Sequence, residues 1–483
     1  MEKESCGIVG MVLDEGNAAL PLFHALYTLQ HRGQESAGIA VSNRKINEGG
    51  NADISRIRGM GLVYDVFSTT RLESLRGNVG IGHVRYSTTG MSKIENSEPL
   101  LVNYSKGKIA IAHNGNLVNT VELKQELQRD GRIFHSDSDT DVIAHLFAKE
   151  LVRHEPVEAI AEMMRRIVGS YSLLILMDNR LIAVRDPLGI KPLCLGEISN
   201  GGKGYVIASE STAIDMLGGE LIRDLRPGEV LMINPSQELL TEDILESHQL
   251  YRGSTAAHCV FEYIYFARPD SILDGRLVYK VRMKIGEKLA EEQGVEADVV
   301  SPVPDSGITS AIGYAKRSGL DYVESFIKNR YVGRTFIMPG KTSRDTAVRM
   351  KLNVVQANVE GKRLVLVDDS IVRGTTSRRI MGFLKDKGAK EVHLRVGSPP
   401  IIAPCYLGIN TPTREELLAS NRSMEEIRKF LHTDSIGYLS IEGLIESIGI
   451  DAKKLCLGCL TGKYPVEIPG EESIARQLKL SYF

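Results

Sequence analysis

The chain carries two hydrophobic rhythms. In the first half, short apolar or alternating runs recur between Gly, Asn and Asp: Cys6–Leu13, Ala37–Ser42, Ile109–Gly115, Ser172–Met177, Leu181–Asp186, Tyr205–Ser209 and Glu229–Ile233. Runs of this length and composition read as strands. Helical spacing appears at Ala18–Gln30, Thr120–Arg129, Thr140–Arg153 and Val157–Val168. Strands flanked by helices predict a layered α+β sandwich, an αββα arrangement. The second half alternates helix and strand instead. Leu277–Glu292 reads as a helix, Asp298–Pro302 as a strand, Thr309–Arg317 as a helix and Asp321–Ile327 as a strand. The buried run Leu364–Val367 follows, then a helix with Ile380, Phe383 and Leu384 apolar and Gly388 as a stop. That order predicts an α/β domain on a parallel sheet, with its ligand at the carboxyl ends of the strands. A further helix is expected at Arg414–Leu431. The polar stretch Asn234–Ser254 is the expected boundary, with several of its residues packing between domains.

The bulk numbers narrow the class. With 483 residues the chain can build two or more cores. A net charge of −2 implies no nucleic-acid surface. No apolar run approaches bilayer length. The polar start Met1–Ser5 does not look like a signal peptide. A cytoplasmic protein without membrane or nucleic-acid partners is expected. Six cysteines are too few and too scattered for a disulfide scaffold.

The segment Arg363–Ser377, RLVLVDDSIVRGTTS, is the most specific. An apolar strand ends in Asp368 and Asp369, a loop with Gly374, Thr375, Thr376 and Ser377 follows, and a helix begins. Backbone N–H groups and hydroxyls at a helix start hold a phosphate. Acids cannot hold phosphate, so they suit sugar hydroxyls and a divalent cation. This stretch resembles the phosphoribosyl pyrophosphate signature of type I phosphoribosyltransferases. Its companions Glu262–Ser271, Lys328–Ile337 and Leu460–Pro469 are similar to segments of the amidophosphoribosyltransferase family, glutamine-dependent enzymes that open de novo purine synthesis. In the front half CGIVG at Cys6, HRGQESAG at His31, HVRYSTTG at His83 and HNGN at His113 resemble the glutamine amidotransferases of the N-terminal nucleophile (Ntn) class. The resemblance spans Cys6 to about Pro469.

It implies an Ntn-hydrolase glutaminase at residues 6–235, a phosphoribosyltransferase domain at 255–410 and a helical, cluster-binding tail at 411–483. Residues 1–5 look like a propeptide. Cys6 would be the nucleophile. Once it is N-terminal, its own amine, with a pKa of about 7.7–8.0, would be the base. Asn114 and Gly115 would form the oxyanion hole, Arg85 would grip the glutamine α-carboxylate and Asp141 its amine, with Asp137 and Asp139 close enough to compete. In the second half, Asp368, Asp369, Arg373, Gly374, Thr375, Thr376 and Ser377 would hold phosphoribosyl pyrophosphate, with Lys328 and Arg334. Mg²⁺ would sit near Ser306, Asp368 and Asp369. The basic stretch Tyr331–Lys351 would close over pyrophosphate, and Tyr263, Tyr265 and Phe266 would line the domain interface, serving either as an ammonia conduit or as plain core.

Cys456 and Cys459 form a C-x-x-C pair, with Cys259 and Cys405 distant in sequence. Spacing alone permits zinc, an iron–sulfur cluster or unrelated thiols. The resemblance to the cluster-bearing branch implies a 4Fe-4S cluster on these four. Cys194 fits no role and is expected in the core. The family further implies feedback inhibition by purine nucleotides and a homotetramer. Glucosamine-phosphate and asparagine synthesis use the same kind of first domain, and the Asp368–Ser377 motif argues against both. Regulators built on a phosphoribosyltransferase fold carry a DNA-binding domain in front, where this chain has a glutaminase pattern.

Overall fold

A computed structural model of the chain describes residues 6–46, 52–86, 92–199, 203–235, 244–251, 255–329 and 352–470. The expected segments Met1–Ser5 and Tyr331–Lys351, including Arg334, lie outside the described residues.

The first half builds two antiparallel sheets. Among the described residues one sheet has seven strands, with Gly7–Leu13 central between Gly204–Ala208 and Val79–Arg85. The other has six, with Gly107–Leu117, Gly169–Met177 and Arg180–Arg185 in its middle. The strand period of two decides what each face covers. Ile8, Val12 and Ile81 point between the sheets, against Ala110, Leu174, Leu176 and Leu231. Val9 and Met11 point the other way, onto Leu22 and Leu26 of the Ala19–Thr28 helix. On the far side Ile109, Ile111, Leu173 and Ile175 pack on Val142, Leu146, Ile160 and Met163 of the Asp139–Glu150 and Pro156–Arg166 helices. The αββα sandwich follows.

The boundary differs from expectation. Leu245–Gln249 is no inter-domain segment; it pairs antiparallel with Glu229–Ile233 as the edge strand of the second sheet. Its side chains are half-buried or exposed, the normal state of an edge, so hydrophobic pattern alone does not reveal it.

The second half forms a five-stranded parallel sheet among the described residues, in the order Asp321–Tyr322, Val299–Pro302, Arg363–Asp368, Glu391–Val396, Ser435–Tyr438. Both faces are covered, as parallel sheets require. Val300, Val365 and Val367 meet the Val278–Glu292 and Ile308–Ser318 helices, whereas Leu364 and Leu366 meet Thr375–Asp386 and Met424–Leu431. Three expectations change here. Asp321–Ile327 breaks into Asp321–Tyr322 and Phe326–Lys328, the latter pairing with Leu352–Val354 in a separate two-stranded unit. Arg414–Leu431 divides into a short turn, Arg414–Glu416, and a helix, Met424–Leu431, capped by Ser423 and Glu426. The last strand of the sheet comes from beyond residue 410, so the tail completes the second domain rather than following it.

Candidate functional site

Cys6 stands at the head of the central Gly7–Leu13 strand and is 8% exposed. Pairing of Gly7 with Val84 sets it beside Arg85, whose charge it feels. The thiol donates to the Tyr86 carbonyl at 3.4 Å. Among the described residues no imidazole or carboxylate hydrogen-bonds it. Burial first, then the charge of Glu98, pushes its pKa up to about 12. Glu98 is itself buried, which raises its carboxyl to about 8 even though it accepts from Thr140 Oγ1 and the His113 N–H, both at 2.7 Å. Near neutrality Glu98 therefore keeps much of its proton, and burial remains the main reason the thiol stays protonated.

Asn114 and Gly115 lie on Gly107–Leu117, paired with Ser172 and Tyr171. Asn114 is fully buried. Gly115 is required sterically, since a Cβ there would come within 2.0 Å of the Ser170 carbonyl oxygen. Arg85 is buried, with Nη1 3.6 Å from Glu35. Asp141, in the first turn of its helix, accepts from the Ser136 N–H at 3.0 Å and hydroxyl at 2.9 Å. Asp139 instead accepts from the Leu117 N–H at 2.9 Å, bracing the end of the strand that carries Asn114 and Gly115.

The second site forms where two neighbouring strands end and a helix begins. Pro302 pairs with Val367, so the loops after both strands meet. Ser306 Oγ donates to Asp369 Oδ1 at 2.5 Å, and Ser370 Oγ to Asp369 Oδ2 at 2.5 Å. Asp368 accepts from the Asp369 N–H at 3.0 Å, and both acids are under a tenth exposed. Gly374, at φ +71°, turns the chain into the Thr375–Asp386 helix, a conformation that suits glycine. Ser377 is buried in its first turn. Arg373 lies 3.1 Å from Glu416, and Lys328 pairs with Asp305.

A buried ionic cluster that no local motif announces joins the two sites. Arg32, fully buried, donates to the Cys6 carbonyl at 3.0 Å, to Glu210 at 2.6 Å and to both oxygens of Glu262 at 2.8 and 2.9 Å. Lys191 Nζ lies 3.7 Å from Glu262 and 5.5 Å from the Phe266 ring centre. Glu262 opens the π-helical turn Glu262–Phe266. Arg282 holds that turn by donating to the Tyr263 and Ala267 carbonyls. Tyr265, in the same turn, has its hydroxyl pKa raised by burial and then by the charges of Asp369 and Asp368. Arg32 thus links the Cys6 carbonyl to this turn, whose Tyr265 feels the charges of the acid pair. The HRG motif displayed Arg32, but its partners Glu210 and Glu262 are 178 and 230 residues away.

The four cysteines gather from three segments. Cys259 pairs with Cys456 across two short parallel strands, and the Cys459 carbonyl accepts from the Ile402 and Ala403 N–H groups just before Cys405. Burial, then the neighbouring Cys259 and Cys405, raises the pKa of Cys456. All six cysteines are unbridged. The donor set suits a soft metal centre, although among the described residues no three His, Cys, Asp or Glu side chains already stand as a metal site. Cys194 is buried in the first sheet. No described helix is long and apolar enough to cross a membrane.

The comparisons with known proteins divide the chain at the same place. A glutamine amidotransferase domain family matches residues 83–216 and a phosphoribosyl transferase domain family matches 269–396. The amidophosphoribosyltransferase of Archaeoglobus fulgidus is 54% identical over 97% of this chain and 99% of its own. That of Bacillus subtilis is 45% identical over 96% and 95%. The structure of B. subtilis glutamine phosphoribosylpyrophosphate amidotransferase complexed with ADP and GMP superposes with a TM-score of 0.87, at 44% identity, over 96% of this chain and 98% of that one. An Ntn-type glutaminase sandwich, a phosphoribosyltransferase sheet and identity along nearly the whole length lead to one conclusion: the chain belongs to the amidophosphoribosyltransferase family.

Proposed function

We propose that this chain moves the amide nitrogen of glutamine onto phosphoribosyl pyrophosphate, giving 5-phosphoribosylamine, glutamate and pyrophosphate, the first step of de novo purine synthesis. The observation that carries this reading is the buried Arg32–Glu262 contact. It ties the backbone of the candidate nucleophile to the turn beside the acid pair.

Maturation removes residues 1–5. Burial holds the Cys6 thiol protonated in the uncleaved chain, and the nucleophile must be a thiolate. A newly exposed Cys6 amine supplies the base. The thiolate attacks the glutamine amide carbon, Asn114 and Gly115 hold the oxyanion, ammonia leaves, and water releases glutamate. Arg85 and Asp141 orient the amino acid. Ammonia then attacks the anomeric carbon of phosphoribosyl pyrophosphate as pyrophosphate departs. A dry passage along Tyr263, Tyr265 and Phe266 keeps the ammonia unprotonated. Gly374, Thr375, Thr376, Ser377 and Arg373 hold the 5-phosphate, while Lys328 and Arg334 bind pyrophosphate. Ser306, Asp368 and Asp369 would hold Mg²⁺, which would supply charge neutralisation for the leaving pyrophosphate. Cys259, Cys405, Cys456 and Cys459 would hold a 4Fe-4S cluster, which would cross-link the three segments that carry them. Feedback by purine nucleotides is supported by the ADP and GMP in the B. subtilis relative. We assign a cytoplasmic homotetramer on the same family grounds.

The test supplies glutamine, phosphoribosyl pyrophosphate and Mg²⁺ to the purified chain. Glutamate and pyrophosphate appear one for one. Glutamate without pyrophosphate overturns the reading. Mass spectrometry finds Cys6 at the N-terminus of the active enzyme, and iron and acid-labile sulfide analysis finds four of each per chain; active enzyme retaining Glu2, or free of iron, rejects the corresponding part.

A further inference from the structure

The oxyanion strand of the first domain is held by a loop of the second. Asn116 Nδ2 donates to the Tyr406 carbonyl at 2.9 Å, and Ser170 Oγ donates to the Leu407 carbonyl at 3.0 Å. Ser170 is fully buried and pairs with Asn116 across the sheet, where its Oγ accepts from the Asn116 N–H at 3.3 Å. Gly408 lies against Gly115 itself. A Cβ at Gly408 would stand 3.1 Å from the Gly115 carbonyl carbon and 2.9 Å from Lys191 Cε, at a φ of +92°. So residues 406, 407 and 408 each touch the oxyanion strand or its paired neighbour, within two residues of Asn114–Gly115.

The other end of this loop is anchored in the cysteine group. The Leu407 N–H donates to Cys405 Sγ at 3.3 Å, and the Cys405 N–H donates to Thr411 Oγ1 at 2.6 Å. Ile402 and Ala403 hang on the Cys459 carbonyl. A continuous path runs from the Cys405 sulfur through the Leu407 peptide to Ser170 Oγ and on to the Asn116 N–H.

We infer that the loop Pro404–Ile409 is a positioning element of the glutaminase site, so that the oxyanion hole in the first domain is set by the thiol-bearing loop of the second. Ser170 and Asn116 are its positioning residues; neither needs to touch glutamine. The physical reason is tolerance. Oxyanion donors work through fixed placement, and a misplacement of about 1 Å costs roughly 100-fold in rate. Two hydrogen bonds and a glycine contact from another domain are suited to fixing a strand to that accuracy. The inference rests on the assignment of Asn114 and Gly115 to the oxyanion hole.

The test compares two nitrogen sources in the full-length enzyme, because supplied ammonia bypasses the first site. Ser170→Ala, which removes one clamp, lowers glutamine-dependent kcat roughly 10- to 100-fold, with KM for glutamine within about twofold, and leaves ammonia-dependent synthesis intact. Asn116→Ala, at a less buried position, gives the same pattern if Ser170→Ala fails to fold. Unchanged glutamine kinetics in the folded variants overturns the inference. So does an equal loss with both nitrogen sources, or an effect confined to KM. Asn114→Ala serves as the control on the underlying assignment. If it retains glutaminase activity the oxyanion-hole reading fails, while the loop is still judged by its own two variants.

Discussion

The two candidate sites differ in what holds their charged groups. In the first domain Cys6, Arg85, Asn114 and Asp141 are all under a tenth exposed, and the supporting Arg32 is locked between Glu210 and Glu262. In the second, the acids are buried but the cations are not: the side chain of Arg373 is 35% exposed against Glu416, and that of Lys328 is 41% exposed against Asp305. Breaking a buried pair strands a charge, at a cost of about 3–5 kcal/mol. An exposed pair is worth only ~0–1 kcal/mol, so it can be exchanged for a phosphate at little expense. One site is preset for a small neutral amide bond; the other keeps its cations on weak partners that a polyanion can displace.

Four measurements sharpen that contrast. The largest effect falls on Cys6→Ala, which abolishes glutamine-dependent synthesis and spares the ammonia-dependent rate; parallel assays with each nitrogen source check it. Asp369→Asn acts at the other end and lowers synthesis from both nitrogen sources, by roughly 10²–10³-fold, the scale of losing one transition-state charge stabiliser. A rate that fell with glutamine alone would misplace the acid pair. Next, Arg32→Met leaves Glu210 and Glu262 buried without their partner and lowers stability by about 3–5 kcal/mol, whereas Glu416→Gln, opposite exposed Arg373, changes it by less than about 1 kcal/mol. Comparable losses in denaturant titrations of the two variants would erase the distinction.

The smallest effect is a pH limb. Burial opposes ionisation of Glu210, but His31, Arg32 and the Ser271 hydroxyl outweigh it and hold the carboxyl well below the usual range. In the unfolded chain a glutamate ionises near 4.3. The stabilisation is therefore complete above about pH 4.3 and is lost as pH falls through the lower, folded value. Thermal unfolding across the acid range should show this limb in the parent and a flatter one in Glu210→Gln.

Much of this was legible in the chain itself. Gly107–Leu117, Gly169–Met177 and Arg363–Asp368 follow directly from short apolar runs, and the helices at Thr120–Arg129 and Val278–Glu292 from their spacing. The Asp368–Ser377 loop stood out as a candidate site because all of its groups lie within ten residues. The failures share a cause. Leu245–Gln249 is a polar edge strand, the expected strand Asp321–Ile327 joins the sheet through only two residues, and Ser435–Tyr438 is short and half-buried. None carries a period long enough to read.

The sequence by itself determined the two domain types and pointed to a candidate nucleophile and a candidate phosphate loop, because strand alternation, helix spacing and compact motifs are local properties of a chain. Only the tertiary structure decided that Arg32 bridges Cys6, Glu210 and Glu262, that Cys259 faces Cys456, that Leu407 accepts from Ser170 and that Gly408 rests on Gly115. The Ser170–Leu407 hydrogen bond alone joins residues 237 positions apart. Such contacts exist because closing the two cores against each other removes water from charges and polar groups that must then find partners among themselves, and no short window of sequence records which ones they find.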